Sequence, residues 1–149
     1  MPYIVGIVVA AIVCIFATIV GLDRDRAFYP TLLIVIALYY ALFAVMGGAP
    51  GALAAESIPI AGFILFAILG FKWNLWFLVV GLAGHGVFDV VHAGVIADPG
   101  VPTWWPPFCL TCDVVMAVYL AGLILLGRLA GTRGQPESMS YVSLRDSLT

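Results

Sequence analysis

"GHGVFDVVHAG", residues 84–94, breaks a run of Leu, Val, Phe and Trp with two histidines and an aspartate. His85 and His92 are the only histidines in the chain. The sequence around them is of membrane type. The 149 residues are 64% hydrophobic and 9% charged, with a mean hydropathy of +1.16. A soluble domain is nearer half apolar and a quarter charged. The apolar runs reach the ~20 residues that a bilayer-spanning helix needs.

Working outward from residues 84–94, hydropathy marks five spans, roughly Tyr3–Gly21, Tyr29–Gly47, Gly51–Phe71, Trp73–Ile96 and Phe108–Leu129. The breaks between them are turn-like: "GLDRDRAFYP", "GGAPG", "FKWN" and "DPGVPTWWPP". The expected fold is all-α, a compact five-helix transmembrane bundle over residues 1–131. A polar cytoplasmic tail is expected over 132–149. The first apolar segment reads as a span and not as a signal peptide, because it lacks a basic leader and is too long. No internal repeat is visible. A net charge of −2 and six scattered basic residues exclude a nucleic-acid surface.

The basic residues give the orientation. Arg24 and Arg26 lie in the first loop, Lys72 in the third, and Arg128, Arg133 and Arg145 after the last span. Loops two and four carry none. The positive-inside rule then predicts the N-terminus outside and the C-terminus inside. Trp104 and Trp105 fit an outer aromatic belt, Trp73 and Trp76 an inner one.

This orientation sets depths. At ~1.5 Å per residue, Glu56, Asp89, His92 and Asp113 fall near one level in the outer half, with His85 a turn deeper. His85, Asp89 and His92 form one helical stripe. Cys109, Asp113 and Met116 share a face of span five. Gly81, Gly84 and Gly86 around the stripe are expected to let helices approach closely. Pro59, a turn after Glu56, is a candidate kink.

No Lys or Arg lies between Ala27 and Phe71, or between Trp73 and Gly127. Glu56, Asp89 and Asp113 therefore sit at membrane depth with only the histidines to neutralise them. A charged residue at mid-helix costs ~2.5–3.5 kcal/mol on insertion scales. Either protons or an added cation must offset the charge. Two His and three carboxylates make a hard-to-borderline metal set. The expected site is one or two divalent ions on His85, Asp89, His92, Asp113 and Glu56. His85 is the member that fits equally well as a residue orienting a neighbour. Zinc is the first choice, iron or manganese the second. Haem does not fit, because both histidines lie on one helix face. The competing readings are a metal-free proton-handling cluster and a polar clamp between helices.

"CLTCD", Cys109–Asp113, adds a C-x-x-C pair, read as structural thiols, as extra soft ligands or as a redox couple exchanging with a quinone. Cys14 reads as packing. "LDRDR" reads as an ion-paired turn. Tyr39 and Tyr40 read as packing, with one hydroxyl in reach of the cluster as the other reading. "WWPP" reads as an interfacial anchor, or as an aromatic lid over the site.

The span-three Glu, "GHGVFDVVH", a Pro-containing loop and "CLTCDVVMAVY" together resemble the small bacterial membrane proteins grouped as domain of unknown function 6010. The resemblance covers spans three to five, about half the chain. It rests on His85, Asp89, His92, Cys109, Cys112 and Asp113. It implies a compact helical protein of the bacterial cytoplasmic membrane and no particular activity. Membrane hydrolases of the alkaline ceramidase type also set His and Asp ligands within their spans, an analogy only.

Two function classes follow. One is a metal-dependent hydrolase or oxidoreductase acting on a lipid-soluble or membrane-proximal substrate, with a metal-activated water as nucleophile and Glu56 as general base. The other is a non-catalytic proton or cation relay, or a small subunit of a membrane complex. The expected partners are the bilayer and a lipid or quinone-like molecule, with a homo-oligomer or a partner subunit as further options.

Overall fold

The computed structural model describes residues 1–129, so the expected tail at 132–149 and the end of the 1–131 domain lie outside the described residues. The described residues form five α-helices: α1 (Pro2–Val20), α2 (Phe28–Gly47), α3 (Ala52–Lys72), α4 (Trp76–Val95) and α5 (Trp105–Leu125). A short 3-10 turn, Leu22–Arg24, follows α1. No strand occurs among the described residues. All five helices are long and apolar enough to cross a membrane. The fold class is the expected one.

Local chemistry sets the helix ends. Gly21 and Gly48 close α1 and α2 in the left-handed conformation that a side chain disfavours. Helix α3 runs on through Pro59. Helix α4 begins at Trp76 and not at Trp73, because the Asn74 side chain accepts the Trp76 N–H and makes a turn of the approach. Helix α5 begins at Trp105, three residues before the expected Phe108. Pro106 and Pro107 fall in its first turn, where their missing N–H groups have no helical acceptor to serve.

The most extensive contacts pair α5 with α4, α5 with α1, and α2 with α3; α3 also packs on α4. Helices α1 and α5 run parallel, and Gly6 meets the Thr111 side chain and the Phe108 carbonyl there with no room for a Cβ. Gly86 lets α4 approach Leu110 and Asp113 of α5. Gly81 packs against Leu33 and Phe66. The expectation for Gly84 fails: a Cβ there would meet nothing within 4 Å, because Gly84 points away from the neighbouring helices.

Gly47 touches Gly100 and Asp98, so loops two and four share one end of the bundle. Arg26 donates to the Gly70 carbonyl at the opposite end, joining loop one to the end of α3. Between the ends, Leu33, Leu78, Leu82 and Leu120 are fully buried and form an apolar layer with Met116 and Ala117. A smaller cluster of Tyr40, Phe43, Ile60, Trp105 and Cys109 lies toward loop four. The outer surface is apolar: Ile12, Ile19, Val45, Ile58, Val80, Val118 and Leu125 are exposed. Soluble monomers rarely expose contiguous patches of this kind, whereas lipid accepts them.

Candidate metal centre

Helix α4 supplies the stripe. His85, Asp89 and His92 recur on one face and are all buried. Glu56 arrives from α3, Asp113 from α5 and Tyr40 from α2, and each is at most 1% exposed. Four helices therefore deliver polar side chains to one dry region.

The five titratable groups divide into two sets. His85 Nδ1 lies 2.8 Å from Asp113 Oδ2 and 3.4 Å from Asp89 Oδ2. One ligand atom from each of His85, Asp89 and Asp113 falls within 4.8 Å of the others. His92 Nε2 instead lies 2.5 Å from Glu56 Oε1. The Tyr40 hydroxyl donates to Asp89 Oδ1, and its ring stacks on His92 with centroids 4.3 Å apart. Tyr40 thus stands between the triad and the pair. Phe63 sets its edge against His85 at 4.7 Å, and Phe88 lies against His92 at 5.4 Å, so aromatic rings wall the site.

The division follows from helix starts. Because α5 begins three residues early, Asp113 lies ~4.5 Å deeper along its helix than a start at Phe108 implies. It meets His85, not His92. Glu56, in the second turn of α3, stays shallow and meets His92. His85, the residue that fitted equally as a neighbour-orienting group, is the imidazole of the triad.

Hydrogen bonding leaves Glu56 Oε2, Asp89 Oδ2, Asp113 Oδ1 and His85 Nε2 buried without a partner. A buried polar atom costs free energy until it is paired. Two carboxylates and an imidazole suit a divalent ion of borderline hardness. At ~2.0–2.1 Å bond lengths, tetrahedral zinc ligands stand ~3.3–3.4 Å apart. The 3.4 Å spacing of His85 and Asp89 matches that separation, whereas His85 and Asp113, at 2.8 Å, are hydrogen-bonded and must part slightly to admit an ion. Tyr40 occupies Asp89 Oδ1, leaving Oδ2 turned toward His85.

Cys109 and Cys112 face different clusters. Cys14, Cys109 and Cys112 are free thiols. Cys109 packs with Tyr40 and Trp105, whereas Cys112 packs against the cluster that contains Cys14. Trp104 is exposed, as an interfacial anchor would be. Trp105 is not a belt residue: it turns inward onto Tyr39 and Phe43, because as the first residue of α5 it already follows the helix's buried face. The "LDRDR" turn also differs from expectation. Among the described residues its charges form no ion pair; Asp25 accepts the Ala27 N–H, Arg26 reaches Gly70, and Asp23 turns inside.

A cavity of about 520 Å³ opens beneath loop four, lined by Ile96, Asp98, Pro99, Val101 and Pro102 among others. His92 lies on its wall. The Glu56–His92 pair is thus the face of the cluster nearest open space. Of the residues outside the expected ligand set, Tyr40 matters most. A phenol at mid-helix in an apolar span needs a partner, and that was its only signal.

Comparison with protein-family models, curated proteins and solved structures finds no match for the chain.

Proposed function

We propose that the protein is a membrane metalloenzyme in which His85, Asp89 and Asp113 hold a divalent ion, zinc first and iron or manganese second. The observation that carries this reading is the spacing of the triad: three ligand atoms within 4.8 Å of one another, fully buried, with unpartnered carboxylate oxygens beside them. No Lys or Arg between Ala27 and Phe71, or between Trp73 and Gly127, offsets those carboxylates. The bound ion would supply Lewis acidity that makes a neighbouring water acidic. With the ion in place, the Glu56–His92 pair on the cavity side would be the proton acceptor, Glu56 as the base and His92 as the carrier.

The substrate class follows from the cavity. Its wall is mainly Pro, Ala, Val and Ile, with His92, Asp98 and Thr103 as the polar members and no Lys or Arg. That favours a neutral, lipid-soluble or membrane-proximal molecule over a phosphate-bearing one. With zinc, the chemistry such an ion would supply is hydrolysis of that class of substrate. The basic residues support loop four facing outward and a cytoplasmic-membrane location in a bacterium. The motifs around His85 and Asp113 support membership of the domain of unknown function 6010 group.

One observation favours a second reading. The pairs His85–Asp113, Glu56–His92 and Tyr40–Asp89 are hydrogen-bonded as a metal-free clamp between helices would be. A transmembrane cation relay has less support, because the leucine layer lies between the cluster and the loop-one end. Elemental analysis of protein purified in detergent without chelator separates the readings. About one zinc, iron or manganese per chain, lost in Asp113→Asn, is expected. A wild-type chain that stays free of metal after incubation with each ion sinks the metalloenzyme and leaves the clamp.

A further inference from the structure

At the opposite end of the bundle a second cavity, of about 380 Å³, is lined by Thr18, Asp23, Arg24 and Arg128. The positive-inside rule accounts for exposed arginines there. It does not account for Asp23, which is only 5% exposed. Asp23 is built in. The Thr18 hydroxyl donates to Asp23 Oδ2 at 2.7 Å and lies 2.6 Å from the Tyr119 hydroxyl. Thr18 has one proton and gives it to Asp23, so Tyr119 donates to Thr18. A chain of donors from α5 through α1 therefore ends on this carboxylate.

The arginines do not neutralise it. Among the described residues no ion pair within 4.0 Å joins Asp23 to Arg24 or Arg128, although all three border one cavity. The Arg24 stem instead lies over Gly21, 3.8 Å from where a Cβ would stand. One wall of the cavity thus carries a fixed negative charge and the others two guanidinium groups, with open space between. A lone anion would be attracted by the arginines and repelled by Asp23; a lone cation would meet the reverse. A ligand that carries a phosphate and, a short linker away, a primary ammonium satisfies both. Guanidinium groups suit phosphate oxygens, and an ammonium offers Asp23 three donors. The cavity lies at the ends of α1 and α5, two helices long and apolar enough to cross a membrane.

We propose that this cavity binds a phosphoethanolamine group, with the phosphate between Arg24 and Arg128 and the amine on Asp23. The lipid headgroup and the soluble phosphomonoester share this chemistry. The test is lipid binding to the full chain in detergent, by native mass spectrometry, with phosphatidylethanolamine, phosphatidylglycerol and phosphatidylcholine of matched acyl chains. Phosphatidylethanolamine should bind at least about tenfold more tightly than either other lipid, a gap of ~1.4 kcal/mol. Asp23→Asn keeps an acceptor for Thr18 and should bring phosphatidylethanolamine and phosphatidylglycerol to equal binding. Arg24→Gln with Arg128→Gln should weaken both. Soluble phosphoethanolamine that displaces the lipid at equal concentration would assign the site to the free compound; failure to displace it assigns the lipid. Equal binding of all three lipids to the wild-type chain overturns the proposal, and that comparison needs no variant to fold. A preference that survives in Asp23→Asn overturns it as well.

Discussion

The Tyr40 hydroxyl donates to Asp89 Oδ1 across the α2–α4 contact, while the Tyr40 ring lies flat against His92. One side chain therefore holds a carboxylate of the triad and the imidazole of the neighbouring pair. Tyr40→Phe removes the bond and keeps the ring. Loss of a hydrogen bond that orients a ligand typically costs ~10–100-fold in metal affinity. We expect a loss in that range in a zinc titration of Tyr40→Phe, with a lowered thermal midpoint in the metal-free chain because Asp89 Oδ1 loses its buried donor. Unaltered zinc affinity would show that Tyr40 plays no part in orienting Asp89.

The two sets of residues make different predictions. Asp89→Asn, Asp113→Asn and His85→Ala should each abolish stoichiometric metal. Asp98→Ala, in the loop-four cavity, should not. His92→Ala and Glu56→Gln should retain metal and lose turnover once a substrate is in hand. If His92→Ala loses its metal as the triad variants do, the pair belongs to the coordination sphere and the division drawn here is wrong.

Helix starts explain what was legible and what was not. The five spans, the burial of all five titratable residues and their shared face followed from hydropathy and a 3.6-residue period, because a charge in an apolar span must face protein. Which carboxylate meets which histidine did not follow. A three-residue error at Trp105 shifts Asp113 by most of a turn, and only the first-turn prolines mark the true start. Gly84 shows the same limit: small residues near a polar stripe need not lie on its contact face. Trp105 shows it again: read as a loop residue of the outer belt, it is the first residue of α5 and faces inward.

Replacing Cys109 and Cys112 together should leave metal content intact. The thiols pack in different clusters, and the triad is complete without them. Cys109→Ala with Cys112→Ala, assayed for bound metal, checks this. Loss of metal would make at least one thiolate a ligand.

Close packing of α1 on α5 depends on Gly6. A Cβ there would overlap the Phe108 carbonyl, which is backbone and cannot swing aside. Gly6→Ala should lower stability by about 1–3 kcal/mol, the usual cost of overpacking. Gly84→Ala, with open space, should be neutral or stabilising by up to ~1 kcal/mol through helix propensity. Thermal unfolding in detergent reads both, and equal effects would contradict the packing described.

Orientation is open to labelling. With the native cysteines replaced, a cysteine at Thr103 should react with an impermeant thiol reagent applied outside, and a cysteine beside Arg133 should not. The reverse pattern would invert the bundle and turn the loop-four cavity toward the cytoplasm.

The buried layer of Leu33, Leu78, Leu82 and Leu120 also governs how the centre is supplied. An ion cannot pass that layer without shedding its hydration shell among alkyl groups. On the proposed metalloenzyme reading, an ion would load from the loop-four side, past His92. The metal stocks of that compartment, not those beyond the leucines, would then decide which ion the triad receives. A chelator confined to the loop-four side competes for the ion, whereas one trapped on the other side leaves the centre untouched.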